Sequence, residues 1–126
     1  MTELNQIYKC NVCGNIVEIV HAGIGQLVCC NQEMELLSPK KEDTGQEKHL
    51  PIIKKSETEI IVEIGSIPHP MDQDHYIEFI ELITDKKTYR KFLKAGDKAI
   101  VIFKIKADNV KARAYCNIHG LWEAVE

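Results

Sequence analysis

From residue 47 onward the chain reads as strand-like, with apolar and polar residues mixed in short runs as expected of strands with one face in a core. Thr58 to Ile64 and His75 to Ile83 alternate and are rich in β-branched residues. Ala99 to Ile105, Val110 to Tyr115 and Leu121 to Val125 are further strand-like runs, and Thr88 to Leu93 is a weaker candidate. Between these runs, Asp85-Lys86-Lys87, Ala95-Gly96-Asp97 and Asp108-Asn109 supply turn residues. No segment of helical length is amphipathic. Short strands separated by turns predict an antiparallel β-sandwich.

The first 37 residues read differently. Ile7-Tyr8-Lys9 and Ile16 to Val20 are short β-rich runs, Gly23-Ile24-Gly25 is a turn, and Leu27-Val28 leads into Cys29-Cys30 and then Met34 to Leu37. So small a unit buries too little apolar surface to fold unaided, so a metal staple is expected. Ser38 to Gln46 is charged and carries Pro and Gly, which predicts a solvated linker between a domain at 1–37 and a second at 47–126.

Composition narrows the function classes. At 126 residues and 44% hydrophobic content the chain holds one sizeable core and a small appendage. A net charge of −3 argues against nucleic acid or an anionic membrane surface as partner. No apolar run reaches the roughly 18 residues of a bilayer span, and Met1 to Lys9 lacks the basic start and apolar stretch of a secretory signal. A cytoplasmic setting is expected. In that compartment the 5 cysteines read as metal ligands or redox groups rather than disulfides.

Cys10-x2-Cys13, followed by the adjacent pair Cys29-Cys30, is a metal signal. Four thiolates serve zinc or a single iron equally well. Neighbouring side chains on an extended chain point to opposite faces. Cys29 and Cys30 reach one ion only if the backbone turns sharply there, and the adjacency should pull the tetrahedron away from regular angles.

Of the 5 histidines, His21 precedes a glycine turn and reads as a surface residue. His49 stands where the linker ends, His69 is held between Pro68 and Pro70, His75 begins a strand after a polar turn, and His119 shares a tight segment with Cys116. Loops and strand ends of a sandwich can converge on one rim, so these four imidazoles and one thiolate form a feasible site for Fe, Cu or Zn. A thiolate facing an open position pushes electron density onto the metal, which suits redox chemistry on a small oxygen species better than hydrolysis.

The ordered set Cys10-x2-Cys13, Cys29-Cys30, Glu47-Lys48-His49-x-Pro51, His69-Pro70-Met71, His75-Tyr76-Ile77 and Cys116-Asn117-Ile118-His119-Gly120 resembles desulfoferrodoxin, a family of two-iron superoxide reductases. The resemblance spans nearly the whole chain. It implies an all-β protein, a small rubredoxin-like metal-binding domain followed by an immunoglobulin-like sandwich, usually as a homodimer. It implies one iron on Cys10, Cys13, Cys29 and Cys30. A second would be held equatorially by His49, His69, His75 and His119, with Cys116 axial. Glu47 would take the sixth position of the resting ferric state, and Lys48 would attract substrate and deliver protons. The implied reaction reduces superoxide to hydrogen peroxide by one electron without releasing dioxygen, and rubredoxin is the implied donor.

Charge agrees from below. Superoxide is an anion and the chain is net negative, so attraction has to be local, and Lys48 beside a ligand could form a small positive funnel. Two other readings are weaker. A cupredoxin-like carrier would leave two histidines idle and lacks a Met after His119. A zinc-ribbon protein leaves the second-domain constellation unexplained.

Overall fold

The computed structural model describes residues 1–43 and 48–126. Every regular element among them is a strand: β1 (Ile7–Lys9), β2 (Ile16–Glu18), β3 (Val28–Cys29), β4 (Gln32–Glu33), β5 (Glu35–Leu36), β6 (Pro51–Lys55), β7 (Ile60–Ile64), β8 (Ile77–Ile83), β9 (Thr88–Phe92), β10 (Ile100–Phe103), β11 (Lys111–Cys116) and β12 (Gly120–Val125). No helix among the described residues is long and apolar enough to cross a membrane. The all-β expectation holds. The chain divides into two compact units, Met1–Ser38 and Pro39–Glu126.

In the first unit, β1 lies between β2 and β5, and β3 and β4 form a separate hairpin. That hairpin turns through Cys30 and Asn31 alone, with φ of 53° and 62°. Positive φ at both central residues is what a two-residue turn of the primed type requires, because its twist matches that of the strands. The sharp turn expected at the cysteine pair is therefore present. A non-glycine residue in this region costs about 1–2 kcal/mol.

The second unit is a sandwich of a three-stranded sheet, β10-β7-β6, and a four-stranded sheet, β12-β11-β8-β9. Ile60, Val62 and Ile64 of β7 are buried at alternate positions. They belong to one core with Ile80 and Leu82 of β8, Val101 and Phe103 of β10, and Ala112, Ala114 and Cys116 of β11. Burying each large aliphatic side chain contributes roughly 1.5–3 kcal/mol. Cys116 ends the inward-facing row of β11, so the sequence alternation itself delivers the thiol to one end of the core.

The other face of the four-stranded sheet carries a charged row. Glu123, Arg113, Glu81 and Arg90 are register neighbours across β12, β11, β8 and β9. Glu81 is fully buried, accepts from Arg113 Nε at 3.1 Å and Nη2 at 2.9 Å, and pairs with Arg90 on its other oxygen. Two guanidiniums thus satisfy a carboxylate that could not otherwise be buried.

Three details go beyond the expectation. β6 carries no clear alternation, since it opens on proline and closes on lysines, yet it pairs with β7 along its whole length. His75 precedes its strand rather than beginning it, because Asp72 and His75 bond each other's backbones and close a turn before Ile77. Part of the expected solvated linker is anchored: Lys40 N donates to Leu121 O, and Lys40 O accepts from Glu123 N, both at 2.9 Å. β12 is an edge strand whose free backbone groups accept such a segment despite its charges.

Candidate metal centres

The first donor set is Cys10, Cys13, Cys29 and Cys30, whose sulfurs all lie within 4.8 Å of one another. Cys10 and Cys13 sit on a knuckle in which Cys13 N points at Cys10 Sγ (3.4 Å), Gly14 N donates to Cys10 O (2.9 Å), and Gly14 takes φ 84°. Cys29 ends β3 and Cys30 begins its turn, so both sulfurs face the knuckle. Cys13 and Cys29 are 3.6 Å apart at sulfur, and Cys29 and Cys30 are 3.9 Å apart. A regular tetrahedron with metal–sulfur bonds of about 2.3 Å has edges of about 3.8 Å, so the spacing suits one ion.

Electrostatics agree with that fit. Backbone N–H groups of Cys13 and Val12 hold the Cys10 thiol down to about 6. The Cys29 thiol is pushed up to about 12, chiefly because it shares its proton with Cys13 and then Cys10; Cys30 is raised by Cys13 in the same way. Hydrogen bonds between the sulfurs hold the Cys29 and Cys30 protons in this way, while backbone N–H groups favour the Cys10 thiolate. A divalent or trivalent cation replaces those protons.

The second set is His49, His69, His75, Cys116 and His119, with all donor atoms again within 4.8 Å. Around a single ion with bonds of about 2.1 Å, opposed nitrogens are about 4.2 Å apart, which these separations accommodate. The rings form a circuit: His49 to His69 4.5 Å, His69 to His75 5.0 Å, His75 to His119 5.0 Å, and His119 back to His49 4.9 Å between centroids. His49, His69 and Cys116 are buried, while His75 and His119 are half-buried. Access from solvent is thus on the side of His75 and His119.

Each donor is held by its own local chemistry. His69 Nδ1 lies 2.7 Å from Pro70 O. A carbonyl only accepts, so Nδ1 carries the proton and Nε2 is left with the lone pair for a metal. His119 turns Nδ1 toward Cys116 Sγ, 3.9 Å away, within the three-residue loop that closes on Gly120 at φ 84°. His49 is fixed through its backbone, since Asp43 Oδ1 accepts from His49 N (2.7 Å) and Leu50 N (3.1 Å).

His75 is clamped by Asn117. The Asn117 side chain accepts from Tyr76 N and donates to Asp74 O, both at 3.0 Å, and its backbone N donates to Tyr76 O. One residue beside Cys116 thereby grips the chain on both sides of His75. The β11–β8 register also slips between Tyr115 and Cys116, which pairs with Ile77. Such a bulge re-aims side chains beside a site.

Lys48 is half-buried and adjoins His49. A Cβ on Gly65 would stand 2.5 Å from Lys48 O and from Ile67 O, and Gly65 has φ 84°. Only glycine lets the Lys48 backbone pass that close. Glu47, expected as a ligand of the ferric ion, lies outside the described residues. His21 is exposed, as expected.

Sequence reasoning missed Trp122, Lys40, Asn117, Asp43 and Gly65. Trp122 is buried, lies flat on His49 (4.4 Å, 9°), and donates from Nε1 to His119 O at 3.2 Å. Its signal in the sequence was slight: the only tryptophan stands three residues after His119.

Comparison with known proteins agrees with the two donor sets. The desulfoferrodoxin N-terminal domain model matches residues 2–37, and the desulfoferrodoxin model matches 41–125. A desulfoferrodoxin homolog of Archaeoglobus fulgidus is 56% identical over 124 residues, 98% of this chain and 99% of that one. The desulfoferrodoxin of Desulfarculus baarsii is 52% identical, covering 98% of each chain. Among solved structures, the superoxide reductase of Treponema pallidum superposes with a TM-score of 0.79 at 27% identity, over 94% of this chain and 96% of that one. The chain belongs to the desulfoferrodoxin family.

Proposed function

We propose that this chain is a superoxide reductase, converting superoxide and two protons to hydrogen peroxide without releasing dioxygen. The observation that carries the reading is the convergence of four imidazoles and the Cys116 thiol within 4.8 Å, beside Lys48, in a chain of this family. Each donor set holds one iron. Cys10, Cys13, Cys29 and Cys30 hold the first. His49, His69, His75, Cys116 and His119 hold the second, which supplies the electron when bound.

The chain's own residues do the rest. Cys116 is buried at the end of the sandwich core and would ligate the iron as thiolate once the ion is bound. His69 is fixed in the tautomer that presents Nε2, and His119 presents Nδ1. Five donors on an ion that takes six leave one position for a small anion. Lys48 Nζ would attract superoxide and supply a proton toward peroxide, and Glu47 would be the carboxylate that competes for the same open position. In a protein of net charge −3, that attraction is local and short-ranged.

The same reading takes residues 1–37 and 47–126 as the two metal-binding domains joined at 38–46. It also takes the protein as a cytoplasmic homodimer whose iron is re-reduced by a rubredoxin-type donor. Metal analysis with a visible spectrum tests the central part. Two irons per chain are expected, and Cys116→Ser abolishes the ferric–thiolate absorption of the second alone. Zinc or copper in its place, or an unchanged band in Cys116→Ser, overturns the assignment.

A further inference from the structure

Lys40 lies outside both donor sets, in a segment whose charges read as mere solvation. Its backbone is nevertheless tied to β12 by two hydrogen bonds, so its side chain starts from a fixed point. Nζ donates to His119 O at 2.9 Å. Trp122 Nε1 donates to the same oxygen at 3.2 Å, so both lone pairs of that carbonyl are engaged. Nζ also stands 4.9 Å from the centre of the Trp122 ring, within the range of a cation–π contact. The same indole lies against His49 at 4.4 Å.

One cation thus touches two of the four imidazoles at one remove, His119 through its carbonyl and His49 through the indole. We propose that Lys40 is a positioning residue of the second centre and that its charge raises the reduction potential there. The proposal rests on the assignment of iron to the His49, His69, His75, Cys116 and His119 set. Two donors on the His119 carbonyl fix the backbone from which Nδ1 is aimed at Cys116 Sγ. A positive charge nearby disfavours a trivalent ion more than a divalent one, so Lys40 holds the centre toward its electron-donating state. Lys40 is exposed, which weakens this field through solvent and salt, so the effect is moderate and depends on ionic strength.

The test compares the full-length iron-loaded protein with Lys40→Met and Lys40→Arg. Both potentials are titrated at low ionic strength, and iron is counted in every sample. Both variants keep the backbone bonds to β12. Lys40→Met is expected to retain two irons and to lower the ferrous-to-ferric ratio of the second centre at the wild-type midpoint by roughly threefold, about 28 mV at 59 mV per decade for one electron. The first centre stays where it was, and Lys40→Arg stays near wild type because it keeps the charge. A wild-type potential in Lys40→Met, or an equal fall in Lys40→Arg, overturns the proposal with the iron assignment intact. Wild-type protein without a second iron overturns the assignment itself, and the proposal with it.

Discussion

Trp122 lies flat against His49, with ring centroids 4.4 Å apart and planes 9° from parallel. Trp122 is the chain's only tryptophan, so tryptophan emission arises beside His49. Adding metal to the metal-free protein should change that emission as His49 becomes a ligand. The change should persist when Cys10 and Cys13 are replaced by serine and vanish in His49→Ala. Fluorescence titration of the three proteins checks this.

Asn117 is not a metal ligand, yet it grips Asp74 and Tyr76 on either side of His75. Partners that orient a metal ligand are typically worth about 10–100-fold in affinity. Asn117→Ala is expected to weaken iron binding at the second centre by that factor and to leave the first centre filled. Chelator competition, followed by the two absorption bands separately, gives the measurement.

Gly65 and Lys48 should share a phenotype. Lys48→Ala removes the local charge and is expected to slow superoxide consumption by about tenfold at low ionic strength, less as salt screens the field. Gly65→Ala leaves Lys48 in the sequence, but its Cβ would sit 2.5 Å from Lys48 O, so the backbone there has to move. Rates should fall in both variants while two irons stay bound. Pulse-radiolysis decay of superoxide at two ionic strengths distinguishes them, since only Gly65→Ala keeps the salt dependence.

Glu81 tests the scaffold apart from the chemistry. Replacing it with alanine removes the carboxylate that the buried Arg113 donates to, and breaking a buried pair in this way costs up to about 3–5 kcal/mol. Glu81→Ala should show that loss in denaturant unfolding. Glu81→Ala/Arg113→Met should recover part of it, because a buried apolar replacement is often neutral.

What could be read in the sequence follows from how local each feature is. β7 announces itself by alternation and β8 to β12 by short β-rich runs between turn residues, features local to each strand. β6 does not, because Pro51, Lys54 and Lys55 blur the period and its place is set by pairing with β7. The nine donor side chains were legible because few other roles suit cysteine pairs or a histidine between prolines. The turn at Cys30 was legible too, since two adjacent sulfurs cannot otherwise reach one ion.

The supports were not legible. Lys40 and His119 are 79 residues apart in sequence, and no local pattern marks their contact. Nothing in the sequence around Gly65 marks the Lys48 carbonyl that lies against it. Asn117 lies between two donors, but its partners across the site are set by the register slip between β11 and β8.

The second centre is expected to reduce superoxide rather than dismutate it. Ferrous protein is mixed anaerobically with limiting superoxide, and hydrogen peroxide and dioxygen are counted. One peroxide per superoxide with no dioxygen, and one centre oxidised for each, is the predicted result. One peroxide and one dioxygen for every two superoxides, with the centre still ferrous, would contradict it.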